Sequence, residues 1–249
     1  MTTLLRDAEL AAAFDHGARA YDRLVALNPG YHAHLRRSAR RLGLPGRGAG
    51  LRVLDLGCGT GASTAALVSV LPKARVVGVD ASQGMLERAR AKRRPPGVSF
   101  VRATAEDLTT AHDLPQAAAG PYDAVFAAYL FRNLTDPDTV LRAVHRLLVP
   151  GGRLAVHEYC LGGRRRDRAV WSAVCKGVVL PLGTLTGDRD LYRHLRCSVT
   201  AFDTAPVFAE RLRRAGFDRV RVLPLPGWQT GITHTFLARR PPYEPGGER

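Results

Sequence analysis

The stretch Val53-Leu-Asp-Leu-Gly-Cys-Gly-Thr-Gly61 carries three glycines spaced two apart. Such a turn lets backbone N–H groups approach a cofactor closely. Two chemistries use it. Gly57, Gly59 and Ala62 fit the G-x-G-x-x-G/A turn of dinucleotide binders, which serves hydride transfer. Gly57, Gly59 and Gly61 equally fit the G-x-G-x-G turn of S-adenosylmethionine (SAM) enzymes, which serves methyl transfer. Cys58, inside the turn, is expected to contribute backbone only. Asp80 stands 25 residues after Asp55, where the ribose hydroxyls of either cofactor want a carboxylate, so it does not separate the two readings.

Three features do separate them. Asp55 lies two residues before the first glycine, where dinucleotide binders usually place an apolar residue; a carboxylate there would meet the ammonium group of SAM. The stretch 103–108, Ala-Thr-Ala-Glu-Asp-Leu, offers polar and backbone groups for an adenine edge through Thr104, Ala105 and Glu106. Finally, the turn begins only after a helical amino-terminal segment, and residues 149–159 (VPGGRLAVHEY) follow the fourth crossover helix. The series favours SAM as the cofactor. Asp55, Gly57 and Gly59 are then expected at its methionine end, Asp80 at the ribose, and Ala81 and Met85 against the adenine, with Met85 equally suited to the core of its own helix.

Positioning these groups requires strands that end together. Short apolar strands are expected at 52–57, 74–80, 98–103, 122–130 and 153–159, with helices at 62–71, after Ser82 as N-cap, and at 136–152, the last with proline at its start and Pro-Gly-Gly at its stop. A helix over 206–217 and strands at 219–226 and 233–240 close the chain. This alternation predicts an α/β fold, a doubly wound, mostly parallel sheet. Residues 1–44 read as helical with a break at 28–30, residues 45–50 as a turn-rich linker, and 160–200 as an apolar and basic helical interruption that would cap the ligand edge.

Composition narrows the partners. Among 249 residues, 37 Lys and Arg face 22 Asp and Glu, a net charge of +15. The arginines are spread along the chain with few aromatics between them, so nucleic acid is not the expected partner. A weak contact with an anionic membrane surface is expected instead, through the run Gly162-Gly-Arg-Arg-Arg-Asp-Arg168 beside the apolar window 169–185. That window is cut by Lys176 and Pro181 and is too short to span a bilayer. Arg6 and Asp7 interrupt any signal-peptide core, and the four cysteines lack C-x-x-C spacing. A cytoplasmic protein, peripheral to the inner membrane face, is expected, with no metal.

The chain resembles class I SAM-dependent methyltransferases over residues 50–160, and within them the ubiquinone/menaquinone C-methyltransferase family. The narrower likeness rests on Tyr-Leu-Phe-Arg-Asn-Leu-Thr-Asp (129–136), the 149–159 stretch, Gly-Asp-Arg-Asp-Leu-Tyr-Arg-His-Leu (187–195), Arg-Ala-Gly-Phe (214–217) and Ala-Tyr-Asp (20–22). It departs from the family pattern after Tyr21-Asp22, at Val149 (usually Lys), at Tyr159 (usually Phe) and at Cys160 (usually Ser), and Thr104 stands where Asn or Asp is common. The resemblance implies one methyltransferase domain over 1–249, with a lid at 1–44, a SAM-binding core at 51–160, a cap at 161–200 and closing elements at 206–240.

It also implies roles on the acceptor side. Arg132 would hold a phenolate or a bound water, or else cap its strand. Asn133 would orient a substrate oxygen, or simply begin the turn at Asp136-Pro137. Of His157 and Glu158 only one can face the site, because strand residues alternate, and the resemblance favours Glu158 over a merely structural ion pair. Tyr192 in the cap would close on substrate or pack in the core. His16, His32 and His34 lie near the lid. The implied reaction is methylation of a lipophilic small molecule, in particular C-methylation of a prenylated quinol. A methyltransferase of a polyketide or carotenoid-related metabolite, an RNA methyltransferase and a non-catalytic SAM-binding protein are the alternatives.

Overall fold

A computed structural model describes residues 9–10, 12–15, 30–110, 115–181 and 189–242. His16, the triplet 20–22, most of the expected lid, residues 182–188 of the expected cap and the tail from 243 lie outside the described residues.

Five parallel strands, β1 (Arg52–Leu56), β2 (Arg75–Asp80), β3 (Val98–Arg102), β4 (Tyr122–Ala128) and β5 (Leu148–Tyr159), are followed by β6 (Asp218–Pro224) and β7 (Thr233–Arg239). They form one sheet in the order β3-β2-β1-β4-β5-β7-β6, with β7 antiparallel to both neighbours. The centre of such a sheet is covered on both faces, which is why β4 reads as a nearly unbroken apolar run and Ala124 to Ala127 are fully buried.

Helices α1 (Tyr31–Arg41) and α2 (Ala62–Val70) cover one face, where Leu35, Ala39 and Leu67 pack with Val53, Val76 and Phe126. Helices α4 (Pro137–Leu147) and α7 (Ala205–Arg214) cover the other, where Val140, Leu141, Val144, Phe208 and Leu212 pack with Leu54, Val125 and Phe236. Helix α4 starts where Asp136 accepts the Thr139 N–H at 3.0 Å and Pro137 takes the first helical position. Its buried residues recur at helical spacing, and each such side chain stabilises the fold by about 1.5–3 kcal/mol. Between α2 and β3, α3 (Gln83–Ala91) is capped by the expected Ser82, whose hydroxyl accepts the Met85 N–H.

Two expectations need correction. The helix expected over 136–152 ends at Leu147, and Val149 to Gly152 instead open β5. That stretch is held extended because Gly151 N–H donates to Arg240 O and Arg240 N–H to Gly152 O, bonds a helix could not share. Helix α1 stops at Arg41 rather than Leu44. In the stretch expected as a cap, helices stand as read: α5 (Arg165–Val174) runs on through a wide turn of π-helix at Cys175–Val179, and a second helix, α6 (Arg189–Ala201), follows.

Candidate active site

The sheet reverses direction of construction at β1, whose neighbours are β2 and β4, and ligands of open α/β sheets bind at the carboxyl ends of strands there. The glycine turn occupies that place. Gly57 and Cys58 donate N–H to Val79 O at 2.8 and 3.0 Å, which ties the turn to β2. Gly57 has φ +71°, and a Cβ there would come within 3.0 Å of Leu130 Cδ1. Gly59 has φ +53°, and a Cβ would meet nothing within 4 Å, so the turn opens onto space there. The Cys58 side chain is buried near Gly78, and burial pushes its thiol well up.

Asp55 is fully buried. Its Oδ2 accepts from Ser63 Oγ at 2.8 Å and Thr64 Oγ1 at 2.5 Å, while Oδ1 is buried with no partner. Burial pushes its carboxyl up to about 6 against the opposing pull of the two hydroxyls. A buried carboxylate oxygen left without a donor is costly, and the ammonium group of a SAM methionine end would satisfy it. The residues present therefore fit that cofactor. Ser63 and Thr64 escaped the sequence reading; the signal was two adjacent hydroxyls in the first turn after the glycines.

Asp80 ends β2. Its Oδ2 accepts Gly59 N–H at 2.7 Å and its Oδ1 accepts Ser82 N–H at 2.9 Å, which leaves a lone pair on each oxygen for a ribose hydroxyl. Burial pushes this carboxyl up as well, and the two N–H donors oppose it. Asp15, from the amino-terminal segment, reaches the same corner: its Oδ1 accepts from Ser82 Oγ and from Gly84 N–H at 2.9 Å. Nothing in the sequence pointed to Asp15, because 67 residues separate it from Ser82.

Of the residues expected around an adenine, Ala81 is half-buried, and Met85 is buried at 3% exposure, the core position its helix also allowed. Thr104 and Asp107 bond each other reciprocally, Thr104 N–H to Asp107 Oδ2 and Asp107 N–H to Thr104 Oγ1. The Thr104 hydroxyl thus closes a turn, while Ala105 is buried and Glu106 begins a single 3-10 turn.

At the carboxyl ends of β4 and β5, three expected residues, Arg132, Asn133 and Glu158, fall close together in space. Arg132 Nη1 donates to Glu158 Oε1 at 2.7 Å and to Tyr129 O at 2.7 Å. The Arg132 side chain is 8% exposed and Glu158 fully buried, so this is an interior ion pair. Burial pushes the Glu158 carboxyl up and Arg132 pulls it back down. Asn133 donates from Nδ2 to Tyr129 O at 3.1 Å, and its Oδ1 meets His194 Nε2 of α6 at 3.1 Å. The residue of α6 that reaches Asn133 is His194; Tyr192, half-buried two positions earlier, faces another side of that helix.

As alternation requires, His157 and Glu158 face opposite ways. His157 is fully buried toward α1, with Nδ1 2.8 Å from Ser38 Oγ and Nε2 2.9 Å from Tyr129 Oη. Burial holds its imidazole down to about 3, so it is neutral at physiological pH. Tyr129 is a further residue that the sequence reading did not single out. It adopts φ +58° at the end of β4 and stacks on Tyr31 (5.7 Å between centroids) and Tyr159 (4.7 Å), and Tyr159 meets Trp171 of the cap at 5.4 Å. The Arg132 guanidinium lies 5.6 Å from the Tyr129 ring and 5.7 Å from that of Tyr159. His32 and His34 belong to α1 on the same side, His34 partly buried and His32 exposed.

A sheet of this order, with a glycine turn after β1, a buried acid inside that turn and a second acid ending β2, defines a class I SAM-dependent methyltransferase. The Thermotoga maritima structure described as a SAM-dependent methyltransferase, possible histamine N-methyltransferase, shares the fold at a TM-score of 0.62 and 19% identity, over 92% of this chain and 98% of that one. Haemonchus contortus phosphoethanolamine N-methyltransferase 2, solved with S-adenosyl-L-methionine, does so at 0.62 and 19%, over 91% of this chain and 57% of that one. The chain belongs to the ubiE/COQ5 methyltransferase family, whose model matches residues 2–236. It is similar to the ubiquinone/menaquinone biosynthesis C-methyltransferase UbiE of Syntrophotalea carbinolica, 33% identical over 86% of this chain and 88% of that protein. It is also similar to the demethylmenaquinone methyltransferase of Clavibacter sepedonicus, 35% identical over 85% and 83%. The protein is a SAM-dependent methyltransferase, and the dinucleotide reading of its glycine turn falls away.

Proposed function

We propose that the protein methylates a ring carbon of a prenylated quinol, the acceptor class to which its named relatives point. The observation that supports this reading is the buried Arg132–Glu158 pair among the aromatic rings of Tyr129 and Tyr159, beside the cofactor end of the sheet. A flat apolar acceptor is received by such rings, and a guanidinium stabilises the phenolate that makes a ring carbon nucleophilic. SAM bound at the glycine turn supplies the sulfonium methyl group, which passes to that carbon; S-adenosylhomocysteine leaves and the ring carbon loses its proton.

In this reading Asp55 holds the ammonium of the methionine end, Asp80 the ribose, and the backbone from Gly57 to Gly61 lets the cofactor approach. Ala81, Met85, Thr104, Ala105 and Glu106 surround the adenine. Glu158 fixes the Arg132 fork, and Asn133 with Tyr192 lines the acceptor side. The chain works as one domain, with residues 1–44 as lid and 161–200 as cap.

The acceptor comes from a membrane surface. On α5 and its continuation, Arg165, Arg166, Arg168 and Lys176 are exposed, and Val170 (42%) and Val178 (52%) stand beside them. Cations next to apolar side chains suit an anionic leaflet at the inner, cytoplasmic face. Among the described residues no helix is long and apolar enough to cross a membrane.

The deciding experiment is incubation of the purified protein with methyl-labelled SAM and, separately, reduced lipid extract and total RNA. Label in a lipid with quinone absorbance upholds the reading. Label confined to RNA overturns it.

A further inference from the structure

Two cations from the connection between α3 and β3 hold the glycine turn. Lys92 Nζ donates to Thr60 O at 2.8 Å, and Arg94 Nη2 donates to Gly61 O at 2.9 Å. The two carbonyls are consecutive, and Thr60 and Gly61 are both buried. Gly61 has φ +82°, and a Cβ there would come within 2.5 Å of Arg94 Nη2, so the glycine makes room for the guanidinium as well as for the turn. The run Lys92-Arg-Arg94 had no partner in the sequence; 32 and 33 residues separate its two holding members from the carbonyls they meet.

A peptide is planar and trans, so its N–H points away from its C=O. Gly61 O accepts from Arg94 and from Ala65 N–H at 3.0 Å, so the N–H of Ala62 points the other way, off the start of α2. Gly61 is the N-cap of that helix and has no side chain to take its leading N–H groups. A cation on the carbonyl also polarises the peptide and makes its N–H a stronger donor. The start of α2 lies beside Asp55, since Ser63 and Thr64 both bond Asp55 Oδ2, while Oδ1 is buried without a partner. In the methionine end of SAM, ammonium and carboxylate sit on one carbon. An ammonium at Asp55 therefore brings the carboxylate close to the start of α2, where negative charge is favoured.

We propose that Lys92 and Arg94 are positioning residues for the methionine end of the cofactor: they draw the Thr60 and Gly61 carbonyls back, so that the start of α2 presents N–H groups to the methionine carboxylate while Asp55 takes the ammonium. The inference rests on Asp55 as the ammonium acceptor. Arg94 serves that role too, because its charge favours the ionised form of Asp55. The other groups facing Asp55 are the hydroxyls of Ser63 and Thr64 on α2, the Asp80 carboxyl ending β2 and the Cys58 thiol. Its neighbours in register on β2 and β4, Gly78 and Phe126, carry no charge.

The test is calorimetry on the full-length protein with two ligands, S-adenosylhomocysteine and methylthioadenosine, which keeps the adenosine but lacks the amino and carboxylate groups. Lys92→Met and Arg94→Met are each expected to weaken S-adenosylhomocysteine about tenfold and methylthioadenosine less than about twofold. Arg94→Lys, which keeps a charged donor, is expected to recover most of the loss. Arg93→Met, at the exposed residue between the two, is expected to change neither ligand. A turn that had merely loosened would weaken both ligands together, because Asp80, at the ribose they share, accepts Gly59 N–H of the same turn. In Arg94→Met the pH below which S-adenosylhomocysteine affinity falls is expected to move upward, since Asp55 loses a cation that favours its ionised form. Equal loss for the two ligands, or unchanged S-adenosylhomocysteine affinity in both Met variants, overturns the proposal. Ligand-selective loss with a wild-type affinity that does not vary with pH keeps the two cations in their role toward the carboxylate and overturns Asp55 as the ammonium acceptor instead.

Discussion

Arg132 and Glu158, 26 residues apart in sequence, meet in the interior at 2.7 Å, and the same Arg132 nitrogen also donates to Tyr129 O. The pair is a fork held from one side with its aromatic face covered by two tyrosine rings. Its Nε is buried without a hydrogen-bond partner, which leaves donor capacity within the site.

Arg132→Lys keeps the charge but loses the planar fork. Turnover is expected to fall by about a hundredfold while the SAM Kd, measured by calorimetry, is unchanged. Arg132→Ala leaves Glu158 buried and unpaired and is expected to cost about 3–5 kcal/mol of stability in urea unfolding. Wild-type turnover by Arg132→Lys would remove this residue from the acceptor side.

Asp55 links affinity and stability with opposite signs. Its carboxyl titrates near 6 in the folded protein and 3.8 as the unperturbed group. Between those values the folded state binds more protons, so the free protein loses stability as pH rises through that window, by roughly 3 kcal/mol. SAM affinity runs the other way, since the ammonium needs the ionised form: Kd is expected to rise severalfold as pH falls below about 6. Asp55→Asn is expected to raise the unfolding midpoint at neutral pH and weaken SAM at least about tenfold. A pH-independent Kd would contradict this role.

The two glycines of the turn separate by what surrounds them. Gly59→Ala has open space for its methyl and is expected to cost about 1 kcal/mol of stability for its left-handed backbone while weakening SAM strongly. Gly57→Ala meets Leu130 as well and is expected to destabilise more. Thermal melts with and without SAM distinguish them: only Gly59→Ala should keep a near-native melt and lose the ligand-induced rise.

Asp15 holds the start of α3 from the amino-terminal segment. Asp15→Ala is expected to cost about 1 kcal/mol, as loss of a helix-capping partner does, and to raise the SAM Kd severalfold through the Ser82 corner beside Asp80. An unchanged Kd would confine Asp15 to structure.

Charge reversal at Arg165, Arg166 and Arg168 tests the membrane face. Co-sedimentation with phosphatidylglycerol vesicles is expected to drop by about tenfold or more, to fall with added salt in the wild type, and to be negligible on phosphatidylcholine. Methylation of a short-chain, water-soluble quinol should be unaffected. Equal sedimentation of the variant would discard α5 as the contact.

The local chemistry was written in the chain itself. The glycine turn needs positive φ and close backbone approach, which only that residue type supplies, and strands covered on both faces must be apolar throughout, so β1 to β5 and the turn were readable from composition and period. Asp55 and Asp80 were readable for the same reason, since each sits at a strand end counted from that turn. Tertiary structure alone decided which side chains meet. Ser38, His157 and Thr235 come from α1, β5 and β7, Tyr129 directly follows β4, and Asp15 reaches Ser82 across 67 residues. It also decided that Pro-Gly-Gly opens a strand, because its partner is Arg240 near the far end of the described chain. Periodicity reports only which face of an element is buried; pairings between distant elements depend on sheet order and register, which no single segment carries.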